Sequence, residues 1–140
     1  MANILGKNDR THTLGNIHSI DKVKEEIDKG GDELTEWIHR NAPRGFFLKQ
    51  DLSVMTKMAE TIAWAKNNPI GFSQSAISDY VNVADSYLVA TAAAKNMVLV
   101  TYEKSNPQRR NRVMIPDACK AIGVRSCDLN TALRELGVLI

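Results

Sequence analysis

Residues 84–102 read ADSYLVATAAAKNMVLVTY, and this stretch decides how the chain is organised. Residues 84–95 are rich in alanine, so two other elements can approach them closely. Residues 97–102, MVLVTY, follow at once as a continuous apolar run of strand length. Continuous rather than alternating hydrophobicity means that both faces of the strand are covered, as in a parallel sheet between layers of helices. The expected class is therefore α/β, a three-layer domain with a short, mostly parallel sheet and helices on both faces.

Downstream, the polar loop 103–112 contains Asn106-Pro107 and leads to Val113, Met114 and Ile115, read as a short strand and the start of a helix. Pro116 suits a first helical turn, Gly123 closes the helix, residues 124–127 return as a strand, and Asp128 caps a last helix ending at Gly137. Upstream, the pattern is mostly helical. Asp21 is placed to cap a helix that exits at Gly30-Gly31, and Asp32 starts another, which stops at Pro43. From Asp51, the residues Leu52, Met55, Met58, Ala59 and Ile62 recur at helical spacing as an expected core face, and Ser73 or Ser75 caps a short helix to about Val81. The run GNIHSI at 15–20 makes a short strand at best, and residues 1–14, with only Ile4 and Leu5 as an apolar pair, read as a loose tail ahead of a single domain over 15–140.

Composition excludes more than it assigns. The chain has 140 residues, a size that suits one domain, and a net charge of +2, too small to argue nucleic-acid binding without clustering. Cys119 and Cys127 stand without a second pair or a nearby histidine, so structural thiols are expected rather than a zinc site. No run approaches the roughly 18 apolar residues of a membrane span, and no signal-peptide pattern opens the sequence; a reducing cytoplasm is the expected compartment. The three histidines fit no hydrolase or HExxH spacing, and Gly30-Gly31 fits neither a P-loop nor a dinucleotide loop.

What remains is a set of acids at structural junctions. Glu26 lies in KVKEEI, Asp85 opens the alanine-rich helix, and Glu103 follows the apolar strand directly. Each has a plain structural reading: a solvated helix acid, a helix-start residue that favours the positive end of the macrodipole, and a loop acid. Glu103 also lies where the carboxyl end of a parallel strand collects ligands. Beside it, Lys104, Arg109, Arg110 and Arg112 make either a phosphate-binding patch or an ordinary solvated basic loop.

Taken in order, KVKEEI, ADSYLVATAA and LVTYEKS, with the closing stretch VMIPDACKAIGVRSCDLNTALRELGVLI, resemble the PIN (PilT N-terminus) domain and an uncharacterised bacterial and archaeal subfamily related to VapC-type toxins. The resemblance covers about residues 15–140. It implies a metal-dependent ribonuclease, often a toxin held inactive by an antitoxin, with Glu26, Asp85 and Glu103 as catalytic and metal-holding acids. It also implies Mg2+ or Mn2+ as the ion, Thr101 as the adjacent small polar residue, and Lys104, Arg109, Arg110 and Arg112 as substrate-binding groups. Carboxylates brought together repel one another unless a hard divalent cation lies between them, which suits that ion choice. The family's opening strand, ending in an Asp, has no counterpart; Asp9 follows only two apolar residues. A vacant central strand position exposes edges, so a homodimer or higher oligomer is expected.

Three functions stand side by side: an endoribonuclease, a catalytically inactive PIN-like protein that binds RNA or an antitoxin-like partner, and an unrelated helical interaction module. Acids scattered well beyond metal-sharing distance would end the nuclease reading.

Overall fold

A computed structural model describes residues 3–6, as backbone, and residues 17–135. The fold is α/β. In chain order the elements are β1 (Asn3–Gly6), β2 (Ile17–Ile20), α1 (Asp21–Gly30), α2 (Glu33–Asn41), β3 (Phe47–Leu48), α3 (Leu52–Asn67), α4 (Gln74–Asn82), α5 (Ala84–Lys95), β4 (Met97–Val100), α6 (Ile115–Ala121), β5 (Ser126–Cys127) and α7 (Leu129–Glu135). Among the described residues no helix is long and apolar enough to cross a membrane.

The five strands form one sheet in the order β3-β2-β1-β4-β5. β2 pairs with β3, and β4 with β5, both in parallel. β1 lies between β2 and β4 and runs antiparallel to both, with Ile4 opposite His18 on one side and Leu99 on the other. Four strands therefore point one way and β1 alone points back. Two expectations are corrected here. The central position is not missing its strand, because residues 3–6, expected in a loose tail, occupy it; and the sheet is mixed rather than mostly parallel, because its two central pairings are antiparallel. Only Ile4 and Leu5 signalled a strand in sequence; hydrogen bonding to a neighbour on each side is what makes this short segment one. With that slot filled, the reason for expecting a dimer lapses. The remainder of the 1–14 stretch, like the expected helix end at Gly137, lies outside the described residues.

α5 is the hub. Leu88, Val89 and Ala92 join Ile20, Met97 and Leu99 of the sheet in the main core, and Ala90 packs against Val54 and Met58 of α3. The other side of β4, Val98 and Val100, meets Ala132 of α7, so helices cover both faces. Alanines at 90 and 92 are what allow α3 and the sheet to close on one helix from two sides.

The caps explain most boundaries. Asp32, Asp51 and Ser73 accept from the amides of Thr35, Val54 and Ala76, and Gly31 adopts the left-handed exit of α1 at φ 58°. Asp128 accepts from Thr131 N at 2.7 Å as expected. Asp21, in contrast, is the first helical residue, and Ile20 stands at the cap with no side-chain bond. Residues 113–114 form no strand, although Val113 is buried. Phe47 and Leu48, in a region expected to be mostly helical, pair with β2 as an edge strand.

The buried face of α3 is also rotated from the expected one. Val54, Met58, Thr61 and Ala65 face inward, whereas Leu52 is 84% exposed and Met55 49%. Val54 and Met58 pack on Ala90, and the same face carries Thr61, whose Oγ1 lies 2.7 Å from the Tyr80 hydroxyl in a buried pair that no apolar periodicity encodes. Thr61→Val is expected to lower unfolding stability by about 1–3 kcal/mol by leaving the Tyr80 hydroxyl unpaired, and the double variant with Tyr80→Phe to regain most of it. Urea melts check both; additive losses would show that the bond carries no coupling.

Candidate functional site

The chain leaves β2 through α1 and α2 toward β3 on one flank of the sheet, and leaves β4 through α6 toward β5 on the other. The carboxyl ends of β2 and β4 thus border a point where the connections diverge, the place where open α/β sheets collect ligands. β1 enters there with Asn3 opposite Val100. Because it runs backwards, its amino end stands at this rim.

Three acids from separate elements meet at the same end. Glu26 extends from α1, and its Oε1 accepts from the Ala84 amide at 3.3 Å. α5 has no side-chain cap of its own, so a carboxylate 58 residues upstream satisfies one of its free amides. Asp85, the next residue, is in the first turn of α5 with its side chain 28% exposed. Glu103 lies past β4 in a turn fixed by its own amide, which donates to Thr101 Oγ1 at 3.1 Å.

Arg112 joins two of these acids. Its Nε and Nη2 donate to Glu103 Oε1 at 3.2 and 2.7 Å, and Nη2 lies 3.8 Å from Asp85 Oδ2. Glu103 Oε2 is buried and has no hydrogen-bond partner among the described residues. Burial raises the proton affinity of Asp85 above the usual carboxylate value, the negative charges of Glu103 and Glu26 raise it further, and Arg112 opposes them. The acids chosen from sequence therefore share one electrostatic neighbourhood.

Two clefts border the cluster. One, of about 340 Å³, is lined by Asp79, Tyr80, Asp85, Arg109, Asn111 and Arg112. The other, of about 390 Å³, is lined by Thr101, Tyr102, Glu103, Lys104 and Asp128 among others. Arg112 lines the first and Glu103 the second.

The basic loop does not form one continuous patch. Arg112 turns onto the acids, Arg110 Nε donates to the Gly71 carbonyl at 3.3 Å, Arg109 Nε donates to Asn111 Oδ1 at 2.8 Å, and Lys104 lies at the second cleft. Thr101 is buried, with its hydroxyl committed to the turn. Cys119 and Cys127 are both free, and burial, with help from the charge of Glu103, pushes the Cys119 thiol up to about 12, far from a nucleophile at neutral pH. Arg112 as an internal counter-ion, and Asp79 as a fourth acid in its field, were not foreseen; neither has a local sequence signature.

The donor set has the hardness a divalent cation such as Mg2+ or Mn2+ needs, and Glu103 Oε2 is an orphaned buried oxygen of the right kind. As the side chains stand, no three histidine, cysteine or acidic groups among the described residues are arranged to hold one ion. Arg112 occupies the space between two of the donors, so the acids fit the ion in chemistry while the arginine sets their present spacing.

A family profile described as a domain of unknown function (DUF4411) matches residues 5–140. The chain belongs to the DUF4411 family. No curated protein and no solved structure matches it. Glu26, Asp85, Glu103 and Arg112 all fall inside the DUF4411 match, as do both clefts.

One consequence concerns pH. An acid whose proton affinity is raised by folding favours the fold when protonated, so its contribution weakens as pH climbs from the unfolded value near 3.9 through the folded one. Asp85→Asn removes that penalty. The melting temperature of the variant relative to the natural protein is expected to rise between pH 4 and pH 7, and a difference that stays constant or falls would contradict the environment described for Asp85.

Proposed function

We propose that this DUF4411 chain carries a PIN-like acidic centre for the metal-dependent hydrolysis of RNA phosphodiesters, built from Glu26, Asp85 and Glu103. The observation that supports it best is the meeting of three acids, 59 and 18 residues apart in sequence, at the diverging ends of β2 and β4. Mg2+ or Mn2+, when bound, would activate a water and offset charge developing on the phosphate. Asp85 and Glu103, whose negative charges oppose one another, would hold the ion. Glu103 Oε2 offers an uncommitted buried oxygen, and Glu26 ties the cluster to the start of α5. Arg109 and Arg112 border the cleft that would receive the phosphate backbone, and Lys104 borders the adjoining one.

A second reading is favoured by β1. In the family that the sequence resembles, the opening strand delivers a further acid; here the reversed strand brings Asn3 to the rim instead. On this reading the protein is a catalytically inactive relative that binds RNA or an antitoxin-like partner through the same end of the sheet.

Cleavage of labelled single-stranded RNA with Mn2+ or Mg2+ separates the two. The first reading expects cleavage that stops with a chelator and falls at least about a hundredfold in Asp85→Asn, the scale of losing one acid–base or electrostatic group, without loss of the fold. A folded natural protein with no metal-dependent cleavage leaves the second reading alone.

A further inference from the structure

Arg112 satisfies Glu103 unevenly. Both of its bonds go to Oε1, while Oε2, which is buried, receives none from the described residues. A planar guanidinium presents its donors in one plane, and here that plane is spent on one oxygen of Glu103 and an approach to Asp85. The Arg112 side chain is itself 50% exposed and borders the cleft that also holds Arg109 and Asp79. It can therefore swing outward without opening the core.

We infer that Arg112 is a displaceable counter-ion: a divalent cation entering between Asp85 and Glu103 takes over their oxygens and releases the guanidinium into the cleft beside Arg109, where it meets a phosphate of the substrate. This rests on the metal-dependent reading given above. A dication and a guanidinium a few ångströms apart repel strongly, so both cannot hold the same two carboxylates. Hard oxygens in a half-buried site would favour the smaller, doubly charged ion, and Glu103 Oε2 offers it an oxygen that no described residue uses. Arg112 thus serves in turn as the resident cation of the empty site and as a positioning residue for the phosphate. It follows that metal and RNA reinforce each other's binding, since each favours the released arginine.

The test uses the full chain and Mn2+ alone, titrated calorimetrically into the natural protein, Arg112→Gln and Arg112→Lys, with thermal melts as the control for folding. Arg112→Gln keeps hydrogen bonding without the charge and is expected to bind Mn2+ about tenfold more tightly, a typical coupling between two linked ligands. Arg112→Lys, which cannot span both acids, is expected to fall between. In a second titration Mn2+ is expected to tighten the binding of a non-cleavable 2′-O-methyl RNA to the natural protein, and the effect to vanish in Arg112→Gln. Equal Mn2+ affinity in the natural protein and the variants overturns the exchange while leaving the acidic metal centre in place. Absence of Mn2+ binding in all of them, with melts intact, overturns the metal centre and the exchange together. Should Arg112→Gln not fold, Arg112→Lys decides alone, and an affinity equal to that of the natural protein overturns the exchange.

Discussion

Helix α5 is covered from two sides, by the sheet through Leu88, Val89 and Ala92 and by α3 through Ala90, and it is buried without a break from Leu88 to Ala92. A helix enclosed in this way meets polar surroundings only at its ends. Its first turn lies near the carboxyl ends of β2 and β4, and there it presents a free amide to Glu26 and the carboxylate of Asp85 to Glu103 and Arg112. The packing of α5 against β4 therefore sets the spacing of the acidic cluster. A larger residue at Ala90 or Ala92 would act on the site without touching it.

The cluster itself is built against stability. Glu103, Asp85 and Asp79 lie in the field of the Arg112 guanidinium, Glu26 adds to the negative charge around Asp85, and Glu103 retains a buried oxygen without a partner among the described residues. An unsatisfied buried polar atom costs about 1–3 kcal/mol, and the Arg112 pair is too exposed for its attraction to count at full strength. Most other polar groups are settled: the Thr61–Tyr80 pair is closed, and Asp32, Asp51 and Ser73 all cap helices, while Ser19 Oγ of β2 shares with Glu103 Oε2 the lack of a partner among the described residues. Unsettled charge gathered at one place is expected where binding or chemistry occurs.

β1 changes the meaning of the N-terminal residues. A parallel strand in the central slot would bring its carboxyl end to the acids, whereas the antiparallel strand brings Asn3 and carries the chain away from the rim toward Gly6. The sheet gains its central hydrogen bonds, and no carboxylate comes with them. Which way a central strand runs is something that two apolar residues, Ile4 and Leu5, cannot encode.

The sequence by itself determined the local elements: the buried run 97–100, the alanine-rich helix before it, and the stops and caps at Gly31, Asp32, Asp51, Ser73, Pro116 and Asp128, because periodicity, capping and turn chemistry act over a few residues. It also singled out Glu26, Asp85 and Glu103, since junctions between elements are visible in the chain. Only the tertiary structure decided that Asn3–Gly6 is a central strand running backwards, that the inner face of α3 carries Thr61 rather than Met55, and that Arg112 lies between the acids. Each of those depends on partners distant in sequence: a strand on either side, the hydroxyl of Tyr80, and carboxylates 9 and 27 residues away.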